Sequence, residues 1–341
     1  MNKRILVTGG AGYVGAHCCK AFAAEGWEVI VFDNLSYGWR DFVRWGALIE
    51  GNILDREALA HAFASVRPDA VAHFAALASA EGSRSEPCQH YRTNVVATLN
   101  VLEAMRIAEV RHLVFSSSGQ VYGRPSRSPI SESTASVPVN PYGWANVFAE
   151  QMIRDFAETY GTRTGAPGLN SVSLRYFCAV GADPDDMLGE RRSPGRNVIM
   201  RAITAADPAS SYELNIAGLD HETHDGTLVR DFIHVTDVAS AHAAALEYLV
   251  EGGESKVLNL GSGQGYSVRQ VIDAVDRLSG RAVRFRISPS VKSGPPELVL
   301  DPSRARAILS WRTRFSEIDQ IVGDALAWHE ADAARRNCFK P

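Results

Sequence analysis

Lysine is scarce in this chain. Lys3, Lys20, Lys256, Lys292 and Lys340 are the only five among 341 residues, and none lies between positions 20 and 256. Net charge is −4, which argues against a broad cationic surface for nucleic acid or anionic lipid. The five cysteines (Cys18, Cys19, Cys88, Cys178, Cys338) form no C-x-x-C pair and are odd in number, so a disulfide framework is not expected. The opening "MNKRILVTGG" has no cationic-apolar leader, and no long uncharged apolar run follows. A reducing cytoplasm is the expected setting. Metal chemistry is also not expected. His221 and His224 in "DHETHD" have H-x-x-H spacing, but they sit in a loop with no third partner nearby. Cys18 and Cys19 read as packing residues of the first helix.

What is present is alternation. "RILVT" (4–8), "EVIVF" (28–32), "AVAHF" (70–74) and "HLVFSS" (112–117) are β-branched and nearly continuous, as buried parallel strands are. Helical patterns near 13–25, 55–65 and 89–107 separate them. A further helix starts at Pro141, a residue suited to a first turn, and runs to about Tyr160. This spacing predicts an α/β fold with a doubly wound parallel sheet and helices on both faces. After "SVSLRYF" (171–177) the chain loosens into "GADPDDMLGERRSPGRN", read as a long loop, and ends in a surface helix. The expected division is a nucleotide-binding domain over 1–177 plus about 228–262. A smaller C-terminal α/β substrate domain takes 178–227 and 263–335.

"ILVTGGAGYVG" sets Gly9, Gly12 and Gly15 in a strand–turn–helix context. Such a turn lets backbone N–H groups and a helix N-terminus approach a pyrophosphate. Asp33 ends the second strand 18 residues after Gly15. An acid there accepts from the adenosine ribose hydroxyls and repels a 2′-phosphate, which points to NAD in a Rossmann-type fold.

In order and spacing, "TGGAGYVGAH", "FDNLSYG", "HFAALASAEGSRSEP", "FSSSGQVYG", "NPYGWAN", "LRYF", "DGTLVRDFIHVTDVASAH" and "LNLGSGQGYSV" resemble the UDP-glucose 4-epimerases. Those enzymes belong to the extended short-chain dehydrogenase/reductase superfamily. The likeness runs from Lys3 to about His329. It implies a soluble enzyme that holds NAD tightly, inverts carbon 4 of a UDP-hexose through a transient 4-ketose, and regenerates the cofactor in each cycle. It also implies a homodimer through the Tyr142 helix and its neighbour near 89–107.

On the residues that match, the resemblance implies Tyr142 as base and Ser118 as hydrogen-bond partner of the reacting oxygen. Further cofactor contacts fall on Tyr13, Val14, Asn34, Asn52, Ile53, Phe74, Ala75, Ala76, Asn94 and Phe177. Substrate contacts fall on Cys178, Asn197, Val198, Arg230, Lys292 and Leu298. A guanidinium at Arg230 suits diphosphate oxygens, while an Arg230–Asp231 pair is the bland alternative.

The departures cluster. The family helix reads Tyr-x-x-x-Lys and this one reads Tyr142-Gly143-Trp144-Ala145-Asn146. Positions four apart share a helix face, so Asn146 stands where an ammonium would lower the phenol's pKa and hold the nicotinamide ribose. A unit charge at about 4 Å and effective dielectric near 20 is worth on the order of 4 kcal/mol, or roughly 3 pKa units. Asn146 donates hydrogen bonds but no charge. Cys178 replaces an asparagine, Lys292 an arginine, Pro295 an aspartate and Asn52 an aspartate. Gln120 and Phe232 are milder changes. Leu298 stands where some members carry tyrosine, leaving room for an N-acetyl group.

Three readings follow. The first is an active 4-epimerase with reduced or shifted activity. The second is another 4-keto reaction on a UDP-sugar (dehydration, decarboxylation or oxidation). The third is a silent NAD- and UDP-sugar-binding protein. Gly119-Gln120 after the serine position counts against a dehydratase, which would want an acid there.

Overall fold

The computed structural model describes residues 3–160, 168–191, 197–290 and 295–338. Among them the strands are β1 (Arg4–Thr8), β2 (Glu28–Asp33), β3 (Gly46–Glu50), β4 (Ala70–His73), β5 (His112–Ser116), β6 (Asn170–Arg175) and β7 (Cys178–Val180). After these come β8 (Leu214–Ala217), β9 (Val229–His234), β10 (Lys256–Asn259), β11 (Gly265–Ser267), β12 (Phe285–Ser288) and β13 (Glu297–Leu298). The early helices are α1 (Tyr13–Ala24), α2 (Arg56–Val66), α3 (Ala80–Ser85), α4 (Pro87–Tyr91), α5 (Ala97–Ile107) and α6 (Pro141–Tyr160). The later ones are α7 (Val198–Ala206), α8 (Val235–Val250), α9 (Val268–Ser279), α10 (Ser303–Ile308) and α11 (Ile318–Cys338).

Seven strands form one parallel sheet in the order β10-β6-β5-β4-β1-β2-β3. The pleat sends alternate side chains of β1 to opposite faces. Ile5 and Val7 enter the core shared with α1 and α8, and Leu6 enters the core shared with α2, α5 and α6. Both layers are dry. Leu6 is fully buried, so its truncation to alanine costs about 2–5 kcal/mol.

The expected strands form. The stretch at 89–107 is continuous in direction but not in winding: α4 passes through a π turn at Arg92–Val96 before α5. The turn turns Asn94 inward, where its side chain clamps Leu77. Strand β3 is an addition to the sequence reading. Its residues are mostly exposed or half-buried, so it has no apolar signature.

Of the segment 228–262, α8 and β10 return to the large sheet, whereas β9 does not. It is the centre of a second sheet, parallel to β7 and β13 and antiparallel to β11. This sheet packs with α7, α9 and α11 around Ile199, Phe232, Val271 and Ile321. Local signals stop its helices cleanly. In α9, Ser267 and Gln270 form a reciprocal capping box, and Gly280 closes the helix in the left-handed conformation. Among the described residues, no helix is long and apolar enough to cross a membrane, and no cluster of three or more ligating side chains could hold a metal.

Candidate active site

The carboxyl ends of β1, β4, β5 and β6 converge, as the crevice of an open α/β sheet requires. After β1 the chain turns at Gly9, whose φ is +73°. A Cβ there would stand 2.5 Å from the Ala75 nitrogen, so the backbone of the 74–76 segment lies directly on the turn. A Cβ on Gly15 would meet the Gly9 carbonyl at 2.2 Å, and α1 therefore packs close against the strand. Gly12 caps α1 without a side-chain hydrogen bond, and the first turn contains no acid. Its N–H groups are oriented for an external anion.

Asp33 is buried and spans the turn from the next strand. Its Oδ2 accepts from the Ala11 N–H at 3.0 Å and its Oδ1 from the Leu35 N–H at 2.8 Å. Burial pushes its carboxyl above the usual range, against those two hydrogen bonds. Asn34 and Asn52 are exposed, and each bends its own loop by accepting from a backbone N–H two residues on. Ile53 is buried beneath the second of these loops. These residues fit a dinucleotide: a glycine cradle, an uncapped helix start and an acid at the second strand end.

A small cleft continues from the turn. Phe74, Ala75, Ala76, Asn94 and Asn146, five residues singled out from sequence, line it together with His73, Thr98, Phe115 and Ser116. Asn94 holds the 74–77 backbone by two hydrogen bonds, 2.8 and 3.0 Å, to the N–H and C=O of Leu77. His73 is locked between Thr8 (2.6 Å) and Thr98 (3.0 Å), and burial lowers its pKa to about 4, so the ring is neutral.

The three serines after β5 face three ways. Ser116 shares a 2.6 Å hydrogen bond with the Tyr176 hydroxyl. Ser117 donates to Glu150 at 2.5 Å. Ser118 is buried and caps the 3₁₀ turn at Gly119–Tyr122, its Oγ accepting from the Gln120 N–H at 3.2 Å. That turn abuts the start of α6. A Cβ on Gly143 would lie 2.6 Å from the Gln120 carbonyl, and Asn140 binds both the Gly143 N–H and the Gln120 side chain. The glycine after Tyr142 thus lets the phenol-bearing turn approach the serine turn. Tyr142 is half-buried there, and its phenol acts electrostatically on Tyr176, whose own hydroxyl is held neutral by burial.

Asn146 is 6% exposed, and its amide Nδ2 donates back to the Tyr142 carbonyl at 2.8 Å. The side chain is tied to its own helix. No charge reaches the phenol from this position.

On the other wall, Cys178 pairs with Phe232 across β7 and β9. Burial pushes its thiol up to about 11, opposed by the Arg230 guanidinium. The thiol is therefore protonated and a poor nucleophile. Arg230 donates to the carbonyls of Val229 (2.6 Å) and Pro296 (3.1 Å), neither of which neutralises it. Asp231 does not pair with it. Strand alternation turns that carboxylate the other way, to Ser262 and the Leu300 N–H, and burial raises its pKa to about 6. Asn197 caps α7 and donates to Glu190 at 2.5 Å, with half-buried Val198 next to it. Leu298 packs into an apolar cluster with Val121, Tyr122, Ile130 and Phe177. Lys292 lies outside the described residues.

Sequence reasoning missed Tyr176 and Glu190. Tyr176 lies inside the quoted "LRYF", and no role was read for it from the sequence. Glu190 is one of several charges in a loop, and only the fold shows that it is nine-tenths buried and bonded to Asn197.

Residues 5–261 match the NAD dependent epimerase/dehydratase family. The UDP-glucose 4-epimerase of Rhizobium meliloti is 40% identical over 336 residues, 98% of each chain. This chain belongs to that family, on its UDP-glucose 4-epimerase branch. Among solved structures, the UDP-glucose 4-epimerase of Brucella ovis in complex with NAD superposes with a TM-score of 0.91 at 42% identity, over 95% of this chain and 98% of that one. The UDP-Glc/GlcNAc 4-epimerase of Campylobacter jejuni gives 0.83 at 33% identity, over 97% and 100%. The large sheet, the glycine turn and the second sheet are thus the family's architecture.

Proposed function

We propose that this protein is an NAD-dependent 4-epimerase of UDP-hexoses in which Tyr142 is the base and Asn146 replaces the usual lysine. The observation that carries the reading is the convergence of the Tyr142 turn and the Ser118 turn beside a cleft lined by Phe74, Ala75, Ala76, Asn94 and Asn146. Gly9, Gly12, Tyr13, Val14, Gly15, Asp33, Asn34, Asn52, Ile53, Asn94 and Phe177 would hold NAD, which would supply hydride acceptance from carbon 4 and hydride return to its opposite face. Tyr142 takes the 4-hydroxyl proton and returns it to the same oxygen after the 4-ketose has turned over in the cleft. Ser118 orients the reacting oxygen. Arg230, bonded to carbonyls among the described residues, pairs with the diphosphate, and Asn197 and Val198 lie on the same subsite, to which the family resemblance adds Lys292. Cys178 and Leu298 are small apolar walls, which favours acceptance of N-acetylated hexoses as well.

A second reading is favoured by one observation. Because Asn146 is committed to the Tyr142 carbonyl, the phenol lacks a neighbouring cation from α6, which suits a site altered toward another 4-keto reaction or toward binding alone. Incubation with UDP-glucose, UDP-galactose and their N-acetyl analogues, with product separation and assay of bound cofactor, separates the readings. Interconversion of either pair supports epimerisation. A 6-deoxy-4-keto or uronic product, or bound NAD with no turnover at any pH, would sink it.

We also propose a homodimer. Val96, Leu99, Ile107, Trp144 and Phe148 are exposed on the adjoining α5 and α6 surface, where Phe148 stacks between Tyr91 and Trp144. A monomeric mass in sedimentation at micromolar concentration would contradict it.

A further inference from the structure

We propose that the segment 181–191 is a tie that holds NAD in place and couples its retention to substrate binding, with Arg191 and Lys20 as positioning residues. The inference rests on the reading that the dinucleotide lies on the glycine turn. The segment leaves β7 at Gly181, closes on itself through an Ala182–Gly189 bridge and an Asp183–Leu188 hydrogen bond, and ends beside Glu190. Its two ends belong to the substrate side: Cys178 precedes it, and the Glu190 carboxylate accepts from Asn197.

Along its length, from Gly181 to Arg191, it also binds the dinucleotide side, by contacts that span more than 140 residues of sequence. The Tyr13 hydroxyl, at the start of α1, donates to the Gly181 carbonyl at 2.7 Å. Lys20, about two turns further along α1, binds Asp183 at 2.7 and 2.8 Å and Asp185 at 2.6 Å. Arg191 forks onto both oxygens of Asp41 at 2.8 and 2.9 Å, and its Nε reaches Asp332 at 3.1 Å. The guanidinium lies over Phe42 (4.5 Å) and Trp39 (5.0 Å). Ala182 and Leu188 share an apolar cluster with Ala16, Phe42 and Trp328.

The placement of these anchors gives the tie its meaning. Helix α1 begins at the pyrophosphate turn, and the 39–42 turn follows Asp33 and Asn34 at the adenosine end. For the dinucleotide to leave, one of these loops must give way, and ligand loops ordinarily open because few contacts hold them. Here both are bound to the same segment by charge-assisted hydrogen bonds, partly buried between Lys20 and Asp183 and bidentate between Arg191 and the exposed Asp41. A reaction that regenerates its cofactor in every turnover gains nothing from exchange. The same segment presents Glu190 to Asn197, so ordering on either side pre-orders the other.

The test uses the purified full chain, with bound NAD and its release rate followed after transfer to cofactor-free buffer. Arg191→Gln and Lys20→Met are each expected to release NAD faster by roughly tenfold or more, the loss of a charge-assisted contact. Both should raise the KM for the UDP-sugar, and excess NAD should restore kcat, which general destabilisation would not allow. Arg277→Gln breaks an exposed pair with Asp319 on α9 and α11 and should change nothing. A folded Arg191→Gln or Lys20→Met protein that retains NAD as long as the parent overturns the tie. Faster NAD release with an unchanged KM overturns the coupling. A parent protein that neither carries NAD nor takes it up overturns the cofactor reading itself, and the tie with it.

Discussion

Two inward-facing arginines, Arg175 buried and Arg230 half-buried, show how the fold treats a cation in two ways. Arg175 ends β6 with a full set of partners. It binds both oxygens of Glu150 (2.8 and 2.5 Å), and its guanidinium lies over the Tyr122 ring at 4.9 Å. Glu150 in turn accepts from Ser117, next to the buried Ser118. Arg230 sits on β9 with carbonyl partners among the described residues, and partial burial disfavours its charge. One cation has its anion from the chain. The other is a half-buried charge with no carboxylate partner among the described residues, which is why it is proposed above as a ligand group. A buried charge therefore marks a binding site only where the fold leaves it uncompensated, and the neighbouring Asp231 shows how close compensation lay had the strand not turned it away.

Breaking the satisfied member should have the largest effect. Glu150→Gln or Arg175→Met leaves one buried charge alone, since both side chains are under 10% exposed. A loss of about 3–5 kcal/mol is expected. Denaturant unfolding measures it, and a midpoint close to the parent's would mean that Ser117 and solvent replace the partner. Arg230→Met should do the opposite, leaving apo stability equal or higher because a desolvated charge is removed. Affinity for UDP should fall by roughly tenfold to a hundredfold, the worth of a charge-assisted contact. Calorimetric titration with UDP decides it, and unchanged affinity would remove Arg230 from the substrate site.

Asn146→Lys asks the same question of the phenol. Asn146 brings no charge to the phenol, and a lysine at this position would extend past the Tyr142 carbonyl that Asn146 now binds. We expect the rate at neutral pH to rise more than tenfold, and the rising limb of the pH profile to move to lower pH, from a single restored charge. A rate equal to or below the parent's would mean that the cleft has been rebuilt around the amide.

Much of this was legible in the sequence, for reasons visible in particular residues. Continuous β-branched runs named the strands because parallel strands are buried on both faces. Gly9, Gly15 and Asp33 named the nucleotide turn because only small residues allow the backbone contacts found there. Phe74, Asn94 and Asn146 lie far apart in sequence but were readable through family spacing. Other features had no local signature. Strand β3 has only exposed and half-buried positions, with no buried apolar residue and no alternation to read. The direction of Asn146, toward its own helix, depends on a choice among rotamers. Lys20, Asp41 and Arg191 look like solvated charges until the fold brings α1, the 39–42 turn and the 181–191 segment together.

The smallest expected effect sharpens the comparison from the side of Cys178. Its thiol, at about 11, is held up by burial and drawn down by Arg230, so it reports the charge of its neighbour. Reaction with an alkylating reagent at fixed pH requires the thiolate. In Arg230→Met the opposing influence is lost, the pKa rises further, and alkylation of Cys178 should slow by a few-fold. Cys88, exposed on α4 far from this strand, should react at the parent's rate and so control for reagent and pH. In Arg175→Met both rates should stay as they are, because Arg175 exerts no influence on that thiol. Mass spectrometry of the two peptides over time reads all three proteins. Equal slowing in both arginine variants would mean that Cys178 responds to loosened packing and not to the uncompensated charge beside it.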